Sequence, residues 1–161
     1  MAEVVKIGIA EWKQTVAPNK LRTAGLGSCV GVILYDVRLH IAAMAHVMLP
    51  DSEIARKHQT IEVGKYADTA IDALVASLKQ AGASRIQAKM AGGAQMFQFK
   101  YENAAMRIGE RNAEAVRLAL KAHRIPLVAE DCGGNNGRTI EFDVATCVLS
   151  IRTVSVGTKE I

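Results

Sequence analysis

Apolar positions recur at helical spacing through Val63, Ala67, Ile71, Leu74, Val75 and Leu78. This predicts an amphipathic helix over residues 60–81, with Thr60 as its N-cap and Gly82 as its stop. A second helix is predicted over residues 109–124, because Val116, Ala119, Leu120 and His123 share a face and Pro126 forbids continuation. The other apolar runs are short and end at turn-forming residues, as strands do: 4–9, 20–24, 29–35, 40–49, 86–91, 127–130, 139–142 and 147–154. Asp36-Val37-Arg38-Leu39, short and partly polar, predicts a hairpin turn between residues 29–35 and 40–49. Strand-rich ends around two helix-then-strand units predict an α/β fold, a layered sandwich in which a mixed β-sheet carries its helices on one side.

The 161 residues contain no repeat, low-complexity tract or long linker, and predict a single domain over 1–161. With 50% hydrophobic and 22% charged residues the composition is globular, and no apolar stretch approaches the ~18 residues of a membrane span. Residues 1–6 lack the basic-then-apolar order of a secretory leader, so a cytoplasmic protein without membrane insertion is expected. Three thiols, Cys29, Cys132 and Cys147, cannot all pair within one chain and none lies in a CxxC spacing, so they are either buried fillers or reactive groups. The net charge of +4 is unevenly placed, with nine Lys/Arg against three Asp/Glu over residues 79–124. That tilt could steer an acidic partner. Nucleic acid is not expected as the partner, because the basic residues are spaced out, aromatics make up 4% and no zinc-finger or RNP-type motif is present.

Candidate chemistry gathers at the predicted hairpin. A turn centred between Val37 and Arg38 pairs residues whose numbers sum to 75, Tyr35 with His40 and likewise Cys29 with His46. Directly opposed residues share a face with Cβ atoms ~4.5–5.5 Å apart, close enough for an imidazole to take the proton of a thiol. The alternative is that Cys29 fills a buried strand and His46 is a satisfied core histidine. Gly25, Gly27 and Ser28 weigh against it, since they place Cys29 where a flexible turn enters a strand, and backbone donors near Gly27 and Ser28 could receive a substrate oxyanion. Cys147 reads as packing in a core strand, and Cys132 sits in a glycine-rich loop. A metal would need ligands from Cys29, His46, Cys132 and His58 at no characteristic spacing, so neither metal nor cofactor is expected. Gly25-Leu26-Gly27-Ser28-Cys29-Val30 lacks the third glycine of a dinucleotide fingerprint, and residues 133–138 lack the end of a P-loop. Arg138 could bind carbonyls or Asp131 structurally, or could touch substrate. The stripe of Arg107, Arg111, Glu114, Arg117, Lys121 and Arg124 reads as a solvated helix face.

Taken together, Thr23, Gly25-Leu26-Gly27-Ser28-Cys29-Val30, Leu34-Tyr35-Asp36 and Ala45-His46-Val47-Met48-Leu49-Pro50 resemble the chemoreceptor glutamine deamidases of the CheD family. Gly92-Gly93-Ala94-Gln95-Met96-Phe97, Ile108-Gly109-Glu110-Arg111-Asn112 and Asp131-Cys132-Gly133-Gly134-Asn135-Asn136-Gly137-Arg138 continue the resemblance in order over nearly the whole chain. It implies an α/β sandwich shared with cysteine-dependent toxin deamidases, with Cys29 as nucleophile, His46 as base and Thr23 as an orienting hydroxyl. The implied reaction converts receptor glutamines to glutamate with release of ammonia, and extends to receptor glutamate methyl esters. The implied partners are the cytoplasmic helical bundle of a chemoreceptor and a CheC-type phosphatase; a regulatory binding role toward that phosphatase, with little catalysis, is the alternative function. Arg107, where an Asn precedes the Ile-Gly pair, and Ala43, where glycine is common, depart from the family pattern.

Overall fold

Two strands, β4 (Val30–Asp36) and β5 (Ile41–Val47), are buried at every position, the mark of strands covered on both faces. One face carries Val30, Val32 and Leu34 with Ile41, Ala43, Ala45 and Val47, packed under two helices. The other carries Ile33 and Tyr35 with Ala42 and Met44, packed on a second sheet. The computed structural model describes residues 1–55, 60–96 and 107–161. The remaining described elements are β1 (Val4–Lys6), β2 (Trp12–Val16), β3 (Lys20–Leu26), α1 (Ala67–Gln80), β6 (Ile86–Gly92), α2 (Ile108–Ala122), β7 (Leu127–Cys132), β8 (Arg138–Asp143), β9 (Val148–Thr153) and β10 (Gly157–Glu160).

The helices lie on one side of a mixed sheet of order β2-β5-β4-β6-β7, in which only β6 and β7 run parallel. This is the expected α/β arrangement. Behind it stands a second mixed sheet, β1-β3-β8-β9-β10, giving three layers with one apolar core under the helices and another between the sheets. No described helix is long and apolar enough to cross a membrane.

Several local expectations change. The first helix starts at Ala67 rather than near Thr60, because Val63–Lys65 form a 3₁₀ turn. There Gly64 packs so closely on the Ala10 and Glu11 backbone that a β-carbon would collide with it, and an isolated bridge between Leu49 and Tyr66 pulls the chain off the helical path. Cys147 is not in a strand. It sits at φ 59 in the turn before β9, its thiol 3.7 Å from the Val144 carbonyl, and packs on the inter-sheet core from there. β2 and β10 were not expected; both are edge strands, and every residue of β10 is exposed, so no apolar alternation marks it.

The β4–β5 turn has the predicted length but lies one residue further along the chain. Asp36 pairs with Ile41, leaving four residues in the loop, and partners sum to 77 instead of 75. The buried Asp36 carboxylate accepts hydrogen bonds from the N–H groups of Arg38 (2.9 Å) and Leu39 (3.3 Å) in this turn, and of Ser84 (3.1 Å) and Arg85 (3.2 Å) before β6. Burial works to raise its pKa, but these four donors prevail and hold it below the ordinary carboxylate value. The stabilisation is present above that ordinary value and is lost as pH falls through the depressed one. Asp36→Ala is expected to cost about 2–4 kcal/mol, because it strips the acceptor from two connections at once. Denaturant melts of the variant at pH 7 and of wild type down to pH 3 check both statements; a cost within the ~0.5 kcal/mol of an ordinary surface change refutes them.

Candidate active site

Register decides which face each candidate occupies. His46 stands opposite Gly31 on β5, and Cys29 lies two residues before Gly31 on the approach to β4. The two-residue error in the predicted register therefore preserves parity, and Cys29 and His46 both face the second sheet, as diagonal rather than direct neighbours. Across the sandwich, Thr23 on β3 pairs with Ile140 of β8 and also points inward. A register irregularity between Thr23 and Leu26 then lets the chain leave one sheet and enter the other at β4, so the three candidates come from two sheets that meet at one end. Gly31 leaves room for them there. A β-carbon would press on Ile140 Cδ1 and approach Thr23 Cγ2.

The hydrogen bonds fix the imidazole tautomer. Thr23 Oγ1 lies 2.7 Å from the Ile7 carbonyl oxygen and 2.7 Å from His46 Nδ1. The hydroxyl has one proton, and a carbonyl can only accept, so Thr23 donates to Ile7 and accepts from Nδ1–H. Nε2 is then left with a bare lone pair, and it has no hydrogen-bond partner among the described residues. The ring is fully buried while Cys29 is half-buried. Burial pushes the Cys29 thiol above its ordinary pKa and pulls His46 below its own. Both shifts favour the uncharged forms, thiol and neutral imidazole.

Cys29 opens on a cleft of about 310 Å³ whose walls include Gly27, Ser28, Ala94, Gln95, Met96 and Ile108; His46, fully buried, does not line it. Of the two oxyanion candidates, Gly27 has its N–H engaged by the Gly25 carbonyl (3.1 Å). The Gly27 and Cys29 carbonyls are held from the opposite side by Ala94 N–H (2.8 Å) and Gly93 N–H (2.9 Å). The approach is tight: Gly92 is at φ +118, and a β-carbon on it would collide with the Cys29 carbonyl oxygen.

Other candidates separate from this site. Cys132 lies in a neighbouring depression with Gly93, Arg107 and Arg117, its thiol pushed up to about 11 by burial and then by Glu130. Arg138 takes the structural role, bonding Asp131 (3.3 Å) and the carbonyls of Gly92 (3.2 Å) and Gly133 (2.8 Å). His58 and Phe97 lie outside the described residues. Sequence reasoning missed Asn112, which is fully buried on α2. Its signal was a polar residue four and eight positions before Val116 and Leu120, on the apolar face.

The pH dependence follows from the two shifts. Hydrolysis that needs neutral His46 is expected to show an acid limb below the ordinary imidazole value of 6.5, and no alkaline fall before the raised thiol pKa above 9 is reached. Cys29 alkylation by iodoacetamide should rise steadily through the alkaline range. A bell centred near pH 6 would instead require a resting ion pair and would contradict the uncharged site.

The family model for CheD chemotactic sensory transduction matches residues 48–153. Full-length relatives also span Thr23, Cys29 and His46. The chain is 56% identical over 163 residues to the chemoreceptor glutamine deamidase CheD of Halalkalibacterium halodurans, covering 100% of both. It is 55% identical to the probable chemoreceptor glutamine deamidase CheD of Geobacillus kaustophilus, covering 99% of this chain and 98% of the relative. It is 46% identical to the chemoreceptor glutamine deamidase CheD of Bacillus subtilis, covering 99% and 97%.

Proposed function

Because this chain belongs to the CheD family, we propose that it is a cytoplasmic amidohydrolase, one domain over residues 1–161, that converts chemoreceptor glutamine side chains to glutamate. The observation that carries the chemistry is the Thr23–His46 hydrogen bond, which leaves a bare Nε2 on the face that Cys29 shares. As Cys29 Sγ attacks the carboxamide carbon, its proton passes to His46 Nε2 and the carbonyl electrons move onto oxygen. The imidazolium returns the proton to the departing amine, ammonia leaves and a thioester remains. Water, deprotonated by His46, attacks the thioester; the thiol leaves with that proton and the product is glutamate. A receptor glutamate methyl ester fits the same sequence with methanol in place of ammonia. Apo catalytic pairs are often loose, so the absence of a thiol–imidazole hydrogen bond before substrate enters is compatible with this chemistry.

Intact-mass analysis of a receptor cytoplasmic fragment tests the reading. Wild type should add ~1 Da per site with stoichiometric ammonia, and Cys29→Ala none. A Cys29→Ala protein that still deamidates rules out this nucleophile. A wild type without deamidation that binds a CheC-type phosphatase favours the regulatory role.

A further inference from the structure

Asn112 sits on the second turn of α2 with its side-chain nitrogen 3.0 Å from the Ser28 carbonyl oxygen and 2.9 Å from the Met48 carbonyl oxygen. Carbonyls only accept, so the amide orientation is fixed and both its protons are used. Its oxygen is buried with no hydrogen-bond partner among the described residues, which is a cost no apolar side chain would incur. What the amide supplies in return is two donors from one atom. One goes to the residue before Cys29 and the other to the second residue after His46, so Asn112 ties together the two segments that carry the candidate pair.

The Ser28 contact has a directional consequence. Three successive carbonyls, those of Gly27, Ser28 and Cys29, are anchored by Ala94 N–H, Asn112 Nδ2 and Gly93 N–H. In a trans peptide the N–H points away from the C=O, so anchoring the Ser28 oxygen aims the Cys29 N–H in the opposite direction. The N–H groups of Ser28 and Cys29 donate to no described residue. Among the described residues, only the Ser28 carbonyl of the three is held by a side chain.

We propose that Asn112 is a positioning residue for the hydrolytic site, which holds the Ser28–Cys29 peptide so that the Cys29 N–H is presented to the oxyanion formed when the thiol attacks the amide. The inference rests on the reading of Cys29 as nucleophile. It predicts a separation between two reactions of the same thiol. Amide hydrolysis passes through an oxyanion and needs the donor, whereas displacement of iodide from iodoacetamide forms no oxyanion and needs only the thiol and His46.

Asn112→Leu and Asn112→Ser are compared with wild type on the receptor fragment and with iodoacetamide, at temperatures below each variant's melting transition. For the leucine variant kcat is expected to fall about 10²-fold with KM within about threefold, and Cys29 alkylation to change by less than about threefold. The serine variant, whose hydroxyl donates to one carbonyl, should fall between. Equal losses in hydrolysis and alkylation, or no loss in either, overturn the proposal. In the wild-type protein, a peptide carrying an aldehyde in place of the glutamine amide should add to Cys29 and move its backbone amide proton downfield. No movement in the confirmed adduct overturns the proposal even if both variants fail to fold. Failure of the functional reading looks different, since then wild type does not deamidate or Cys29→Ala still does.

Discussion

His46→Ala is expected to lower receptor deamidation roughly 10³–10⁴-fold, about 4–5.5 kcal/mol of transition-state stabilisation. The double variant with Cys29→Ala should be no slower than either single one, because thiol and base act as a unit. The size follows from burial: with the thiol pKa raised, few Cys29 thiols ionise unaided at neutral pH, and the proton has to move as the bond forms. Thr23→Val adds a finer test. It leaves the Ile7 carbonyl and His46 Nδ1–H without their partner, and the ring proton is free to shift to Nε2, where it blocks the base. A loss of about 10²-fold is expected, with about 1–3 kcal/mol of stability, while Thr23→Ser should keep most of both. Steady-state rates beside thermal melts decide; near-normal turnover in His46→Ala would remove the imidazole from the mechanism.

The face that Cys29 and His46 share was legible because strand parity survives a two-residue slip. The slip itself was not legible: Asp36, at the end of β4, accepts N–H groups from Ser84 and Arg85, almost fifty residues away, as well as from its own turn, and no hairpin rule contains that information. Thr23 was reached only through the family resemblance, since its contact with His46 crosses between two sheets and has no sequence period. The division into two sheets was equally hidden. Short strands of similar composition fill both, and the irregularity between Thr23 and Leu26 that carries the chain across is one residue long. Asn112 was readable in principle, as an amide on the buried stripe of α2, but its two acceptors are the backbone of Ser28 and Met48, which no side-chain pattern reveals.

Free glutamine and short glutamine peptides are expected to be turned over with kcat/KM at least about a thousandfold below that of a folded receptor fragment, roughly 4 kcal/mol of binding energy unused. A cleft of about 310 Å³ takes a glutamine side chain with its immediate neighbours, and every glutamine presents the same amide, so selectivity among receptor glutamines has to come from the surface around it. The described basic side chains within residues 79–124 do not form one continuous surface. Lys89 points inward to the carbonyls of Cys147 (2.6 Å) and Ile161 (2.9 Å), and Arg117 is paired with Glu130 and Glu114. Lys79, Arg85 and Arg124 gather around a depression at the C-terminal ends of the two helices. The 15 residues of α2, about 22 Å, separate them from Ile108 in the cleft wall. Arg111 is exposed on the first turns of α2, three residues after Ile108 of the cleft wall, and has no ion-pair partner among the described residues. An acidic receptor helix placed over Cys29 is therefore expected to meet Arg111 and not Arg124. Arg111→Glu should lower kcat/KM on the receptor about tenfold and flatten its fall with rising salt, whereas Arg124→Glu should change it by less than about twofold and neither should alter Cys29 alkylation. Free glutamine matching the receptor fragment would make this a small-molecule amidase, and a larger loss from Arg124→Glu than from Arg111→Glu would move the receptor to the other end of the helices.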